Sequence, residues 1–492
     1  MRDSKIYHFL ESLGPVQLNR LSRYLESPYF NRNEKLLKIY YTLERNIRSR
    51  SKEDPDKQLI WDSIYPGVVF NDSKFRKHCS ELLDLGEAFL AQQIYDENPL
   101  HQANNLLQAV HQRQIPKLFN SSQSKAALLT LRQSNRNASY YYYMYEIEKN
   151  LYKLNDPEVN RVIKSSISKI NLESIVNNLD YFYIAEKLKY YCSLLSWNRI
   201  VALDTQILFI EEIIEIAKKK EFAEIPPVSI YLKIYETFIY PDQIDYYWEL
   251  KQLIEKYLHL FPSDEAKEII EAAINYNIRN ANKDIAYQIE LLSIYKKGLE
   301  TEVLFPNGEM SPWTFKNIIT QAVRLKEFTW AEQFIKTYSE RLNPSYKDNA
   351  VHYNLALIHF HKREFHKVIP LLQKVEYDEI FYGLNSKAIM VSTYFDMGEF
   401  FALGSFLESF RNFLTRDKNL SQVKKNTYLN LVKFTKILVD IHNGSTRNLE
   451  KLKNEIIKEN AVGKDWLLEK VDELLYSTSP SRKLVLKSSR NE

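Results

Sequence analysis

Lys326-Glu327-Phe328, Arg363-Glu364-Phe365 and Gly398-Glu399-Phe400 are one short element written three times within the stretch 311–414. The intervals are 365 − 328 = 37 and 400 − 365 = 35 residues. An apolar stripe at helical spacing precedes each copy and another follows it. In the middle copy, Leu355, Ala356 and His359 form the first stripe, and Val368, Leu372 and Val375 form the second. The third copy has Met390, Val391 and Tyr394, then Leu403, Leu407 and Phe410. The first has Ile318, Ile319 and Ala322, then Ala331, Ile335 and Tyr338. Spacings of three and four put such residues on one helix face. A period of this size with two stripes predicts one helix pair per repeat. The element itself is the turn between the paired helices, and its three Phe residues are expected at equivalent buried sites.

Composition agrees. Ten Gly and 16 Pro in 492 residues are too few for the turns of a β-rich chain and favour long helices with short connections. Hydrophobic residues make up 45%, enough to bury a core. A repeat array also escapes the usual limit on domain size. The predicted fold class is therefore all-α: an α-solenoid of helix-turn-helix repeats with a helical N-terminal module and a helical C-terminal cap.

Five segments are expected. Residues 1–100 form the N-terminal module. Pro28 ends a helix carrying Leu18, Leu21 and Leu25, because the residue before Pro avoids helical ψ. Asn31 and Glu34 suggest a capping box for the next helix, with Leu36, Tyr40, Leu43 and Ile47 on one face. Asp72 is the expected cap of a third helix, in which Gly86 lies on the apolar face and predicts a close crossing. Residues 101–225 are helical without a clear repeat; Asp156-Pro157 reads as an N-cap with first-position Pro. Four consecutive tyrosines, Tyr140–Tyr143, point all round such a helix, so some lie in the core and some at its rim. Residues 226–415 hold the repeats, opened at 311 by Ser311-Pro312. Residues 416–477 cap the array. The tail 478–492 is basic and Ser-rich, the composition of a disordered segment.

The repeats resemble the tetratricopeptide repeat: a small residue in the first helix (Ala322, Ala356), a turn ending in Glu-Phe, then spaced apolar residues. Lys326 and Arg363 depart from that pattern, which has Gly at the turn, and the closing Pro is missing. The N-terminal part is similar to bacterial helical-repeat proteins that share the Ser27-Pro28-Tyr29-Phe30-Asn31 corner, a likeness that implies no activity. The tetratricopeptide resemblance implies a non-enzymatic scaffold or adaptor. It would hold a peptide or partner helix on its concave face, where Asn and Lys/Arg side chains clamp a backbone. Aligning the copies puts Lys316, Asn317, Thr320 and Arg324 in line with Tyr353, Asn354, Leu357 and His361, then with Ala388, Ile389, Ser392 and Asp396. The candidate binding residues are Lys316, Asn317, Arg324, Tyr353, Asn354, Phe360 and His361. Their charge favours an acidic partner.

A second candidate surface is basic. Residues 411–436 carry Arg411, Arg416, Lys418, Lys424, Lys425, Lys433 and Lys436 against Asp417, so 7 − 1 = +6. Such a patch attracts nucleic acid or an acidic protein; a regulator that contacts nucleic acid through this patch or through the N-terminal module is the alternative reading. Net charge over the whole chain is only +4, too small to imply nucleic acid by itself.

Other chemistry is missing from the sequence. The glycines are too scattered to cradle a phosphate, and no phosphate-loop or dinucleotide pattern occurs. His352, His359, His361 and His366 cluster, but no Cys is near, and their only close carboxylate, Glu364, lies in the turn. Catalytic, cofactor and metal residues are accordingly expected to be none. Cys79 and Cys192 read as small buried hydrophobes of a reducing compartment. No apolar run reaches the ~18–20 residues of a membrane helix, and no signal-peptide core follows Met1, so a cytoplasmic location is expected.

Overall fold

The computed structural model describes residues 1–49, 53–154, 171–198, 201, 205–375, 380–417 and 420–478. Within them every regular element is a helix, and the β-type pairing is limited to an isolated bridge between Met310 and Leu342. Asp156-Pro157, Lys418 and tail residues 479–492 lie outside the described residues. The chain divides into two compact units, Met1–Leu232 and Lys233–Glu492.

The first unit opens with α1 (Lys5–Ser12), α2 (Pro15–Glu26), α3 (Glu34–Arg48), α4 (Lys57–Ile64) and α5 (Asp72–Glu97). Leu10, Leu21, Leu25, Ile39, Tyr40, Trp61 and Phe75 close one core among them. Gly86 is where α5 meets α1: a Cβ there would stand 2.4 Å from Cε1 of Phe9. The capping expectations shift slightly. Asn33, not Asn31, caps α3, its Oδ1 accepting from Lys35 N. Asn31 is buried instead; it donates to the Leu25 carbonyl and accepts from Asn33 N, pinning the corner. Asn71 rather than Asp72 caps α5, and Asp72 pairs with Arg76 one turn on. Phe30 stacks on Tyr24 at 4.2 Å, while Tyr29 stays exposed.

Next come α6 (Pro99–Gln112), α7 (Phe119–Arg132) and α8 (Ala138–Leu154), which share a second core of Leu100, Leu107, Val110 and Ile147. The long α9 (Leu172–Asn198) packs on α8 and on α10 (Ile210–Ala217). Of the tyrosine run, Tyr141 is buried and Tyr142 exposed. Cys192 is buried, its Sγ donating to the Tyr231 carbonyl; Cys79 is half-buried, and burial pushes its thiol up to about 11. The next helix is α11 (Pro226–Ile239).

The second unit continues with α12 (Ile244–Tyr257), α13 (Ser263–Asn280) and α14 (Ile285–Glu300). The three copies follow as α15 (Pro312–Arg324) with α16 (Phe328–Tyr338), α17 (Pro344–His361) with α18 (Phe365–Leu372), and α19 (Ile380–Asp396) with α20 (Phe400–Arg416). Ser311 caps α15 as expected, Oγ accepting from Thr314 N. The chain ends in α21 (Gln422–His442), α22 (Leu449–Lys458) and α23 (Lys464–Thr478). First helices pack in succession, α15 on α17, α17 on α19, α19 on α21 and α21 on α23. The small residues expected at close contacts, Ala322, Ala331 and Ala356, are fully buried.

The three turns are the same turn. Lys326, Arg363 and Gly398 hold left-handed φ of 60°, 59° and 74°. In each, that residue donates its N–H three residues back, to Val323, Phe360 or Phe395, at 3.0 Å. The following Glu donates five residues back, to Ala322, His359 or Tyr394, at 2.9–3.0 Å. This pairing satisfies carbonyls that a helix end leaves orphaned. Phe328, Phe365 and Phe400 then open each second helix at equivalent positions, but all three are half-buried rather than enclosed. The fold is thus all-helical and repeat-like.

Candidate binding face

The aligned positions project from consecutive first helices, so the candidate face can be read from α15 to α19. On α15, Asn317 and Arg324 are exposed and Lys316 is half-buried. The Lys316 ammonium lies 5.9 Å from the Trp313 ring and 5.8 Å from the Tyr353 ring. Burial, with the Lys424 charge as second cause, lowers its pKa to about 8. On α17, His361 is exposed at the helix end. Partial desolvation, and then the Arg324 charge, lowers its pKa below the usual histidine range. Lys316, Asn317, Arg324 and His361 therefore form a reachable polar row over two adjacent helices.

The other three candidates do not belong to that row. Asn354 is 0% exposed; its Nδ2 donates to the Ala350 carbonyl one turn back, and its Oδ1 meets no donor among the described residues. It cannot contact a ligand without rearrangement of the packing around it. Tyr353 is also buried, edge-on to Tyr382 at 5.1 Å. Tyr382 in turn donates to the Pro312 carbonyl at 3.2 Å, tying the start of α19 to the start of α15. Phe360 packs half-buried against the C-terminal core and lies 5.8 Å from Phe365 across the turn. Alignment alone placed Asn317 and Asn354 on one surface; packing separates them.

In the third copy the line closes. Ala388 and Ser392 are buried. Asp396 accepts from Trp466 Nε1 at 3.1 Å and pairs with Lys470 at 2.9 Å, both from α23, with the Asp396 and Lys470 side chains 9% and 8% exposed. This buried pair was missed in the sequence. Its signal was there: Lys470 shares a stripe with Trp466, Leu467 and Val471, where a lysine needs an anion.

The histidine cluster supplies a single carboxylate contact, His359 Nδ1 to Glu364 Oε2 at 2.7 Å. Lys367 first, then His359, hold Glu364 down to about 2. No group of three potential metal ligands occurs among the described residues. The basic segment carries less charge than its sequence tally. Lys436 and Arg411 share Glu408, at 2.9 and 3.7 Å, and Lys433 pairs with Glu459 at 2.9 Å. Both carboxylates lie outside the 411–436 window. Arg416 and Lys424 are exposed and Lys425 half-buried. No described helix is long and apolar enough to cross a membrane.

Compared with family models, with curated proteins and with solved structures, the chain matches none.

Proposed function

We propose that the second unit is a tetratricopeptide-like solenoid that acts as a non-enzymatic scaffold, holding an acidic peptide segment across α15 and α17. The observation that carries this reading is the row Lys316, Asn317, Arg324 and His361: three basic side chains and one amide, all reachable, on adjacent helices of a repeated pair. Asn317 offers a donor and an acceptor to a peptide backbone. The partly dehydrated ammonium of Lys316, with Lys424 nearby, gains from a carboxylate that neutralises it. The resemblance in the repeats supports the same surface.

The test is binding to a peptide array of acidic, neutral and basic sequences, compared with Lys316→Glu and Arg324→Glu variants. Selection of acidic peptides, lost in the variants with helicity unchanged, is expected. Equal binding of all three classes overturns the reading. Binding should also take up protons near pH 8. Lys316 is about half neutral there, and an anion raises its pKa, so uptake approaches about half a proton. Calorimetry in buffers of different ionisation enthalpy measures it. Nucleic-acid binding through 411–436 is the weaker reading, because Arg411, Lys433 and Lys436 already face carboxylates.

A further inference from the structure

α9 has two apolar faces, and only one is covered by the described residues. Ile184, Ala185, Leu188 and Cys192 are buried. On the opposite face stand Leu172, Val176, Leu179, Tyr183, Tyr190 and Trp197, each between 41 and 63% exposed. Their steps are 4, 3, 4, 7 and 7 residues: the first four side chains follow the a/d spacing of a coiled-coil seam, and the last two keep the a position, passing over Glu186 and Ser193. The seam runs about 38 Å at 1.5 Å per residue. A second feature borders it. Lys187 lies over the Tyr183 ring at 5.6 Å and donates to the Leu208 carbonyl at 2.9 Å, holding Leu208 and Phe209 beside the seam. Both are well exposed, and Phe209 holds a left-handed φ of 60°, costly for a bulky residue.

We propose that this face is covered by the same face of a second copy of the chain, with the two α9 helices antiparallel. The seam is divided by size: its N-terminal half is aliphatic and its C-terminal half aromatic. About a two-fold axis, positions whose numbers sum to 369 face each other. Leu172 meets Trp197, since 172 + 197 = 369, and Leu179 meets Tyr190, since 179 + 190 = 369. Tyr190 and Trp197 thus each meet a leucine, and Tyr183 meets Glu186, since 183 + 186 = 369, whereas a parallel pair would set ring on ring. Charge follows the same symmetry. Asp180 and Lys187 flank the seam on one side, and the antiparallel arrangement brings Asp180 of each copy toward Lys187 of the other. Lys187 keeps protons for this beyond the one given to Leu208.

Sedimentation equilibrium of the full chain tests the idea. A dimer at micromolar concentration is expected, and Tyr190→Glu with Trp197→Glu should make it a monomer with unchanged circular dichroism and Tm. Register is tested by cross-linking. Mixed Leu179→Cys and Tyr190→Cys copies should form an intermolecular disulfide that neither variant forms alone, because like positions lie about 16 Å apart along the axis. Asp180→Lys should weaken the dimer at least tenfold and Lys187→Asp added to it should restore it. A wild-type chain that stays monomeric throughout, as it would if another part of the same chain covered the seam, overturns the proposal. So does a dimer that survives the double Glu variant, or one that cross-links through Tyr190→Cys alone.

Discussion

Asn317 and Asn354 hold the same position in adjacent helix pairs, 354 − 317 = 37 residues apart, and meet opposite surroundings. Asn317 faces solvent from α15, while Asn354 is fully buried on α17. One pair further on, Ile389 is half-buried and its neighbours Ala388 and Ser392 are buried. The pairs share a turn, a core stripe and small-residue contacts, yet their inner faces differ step by step. A repeat sets what a residue does inside its own pair. Whether that residue reaches solvent depends on the neighbouring elements. Beside the third pair α23 closes the line through Lys470 and Trp466, whereas α15 leaves its row open.

The largest expected effect comes from reopening the closed end. Lys470→Met leaves Asp396 charged and enclosed without its cation, which should cost about 3–5 kcal/mol. Replacing Lys470 and Asp396 together by Met and Leu should recover most of that loss. Urea denaturation of the two variants reads the difference; equal stability of both would mean that α23 does not close the third pair through this contact.

The half-buried turn phenylalanines sharpen the comparison at an intermediate scale. Phe410, 1% exposed within the same array, should lose about 3–5 kcal/mol on change to Ala. Phe365→Ala should lose roughly 1–2 kcal/mol, since part of its ring is already in water. Comparable losses at both positions, measured by urea midpoints, would show that the turn rings are enclosed after all.

The smallest effect tests whether the three turns are equivalent. Lys326 and Arg363 occupy a left-handed conformation that L side chains adopt at a cost, and Gly398 does so freely. Lys326→Gly and Arg363→Gly should therefore each stabilise by about 0.5–1 kcal/mol, and Gly398→Ala should destabilise by about 1 kcal/mol. Tm shifts of opposite sign are the expected readout, and shifts of the same sign would break the equivalence.

Much of the fold was legible. The Glu-Phe turn, the stripes around it and Ser311-Pro312 at the array's start are local signals. Each acts within a few residues of backbone, so the sequence alone determines helix type, turn register and which stripe faces the core. The caps fell at Asn33 and Asn71, while Asn31 was drawn to the Leu25 carbonyl and Asp72 to Arg76. Only tertiary structure decided the surface. It withdrew Tyr353 and Asn354 from the candidate row, and it matched Lys433 and Lys436 with carboxylates outside the basic segment. It also revealed α9's second apolar face, where the sequence showed only an apolar helix. Exposure and charge pairing depend on residues far apart in the chain, and no local period carries that information.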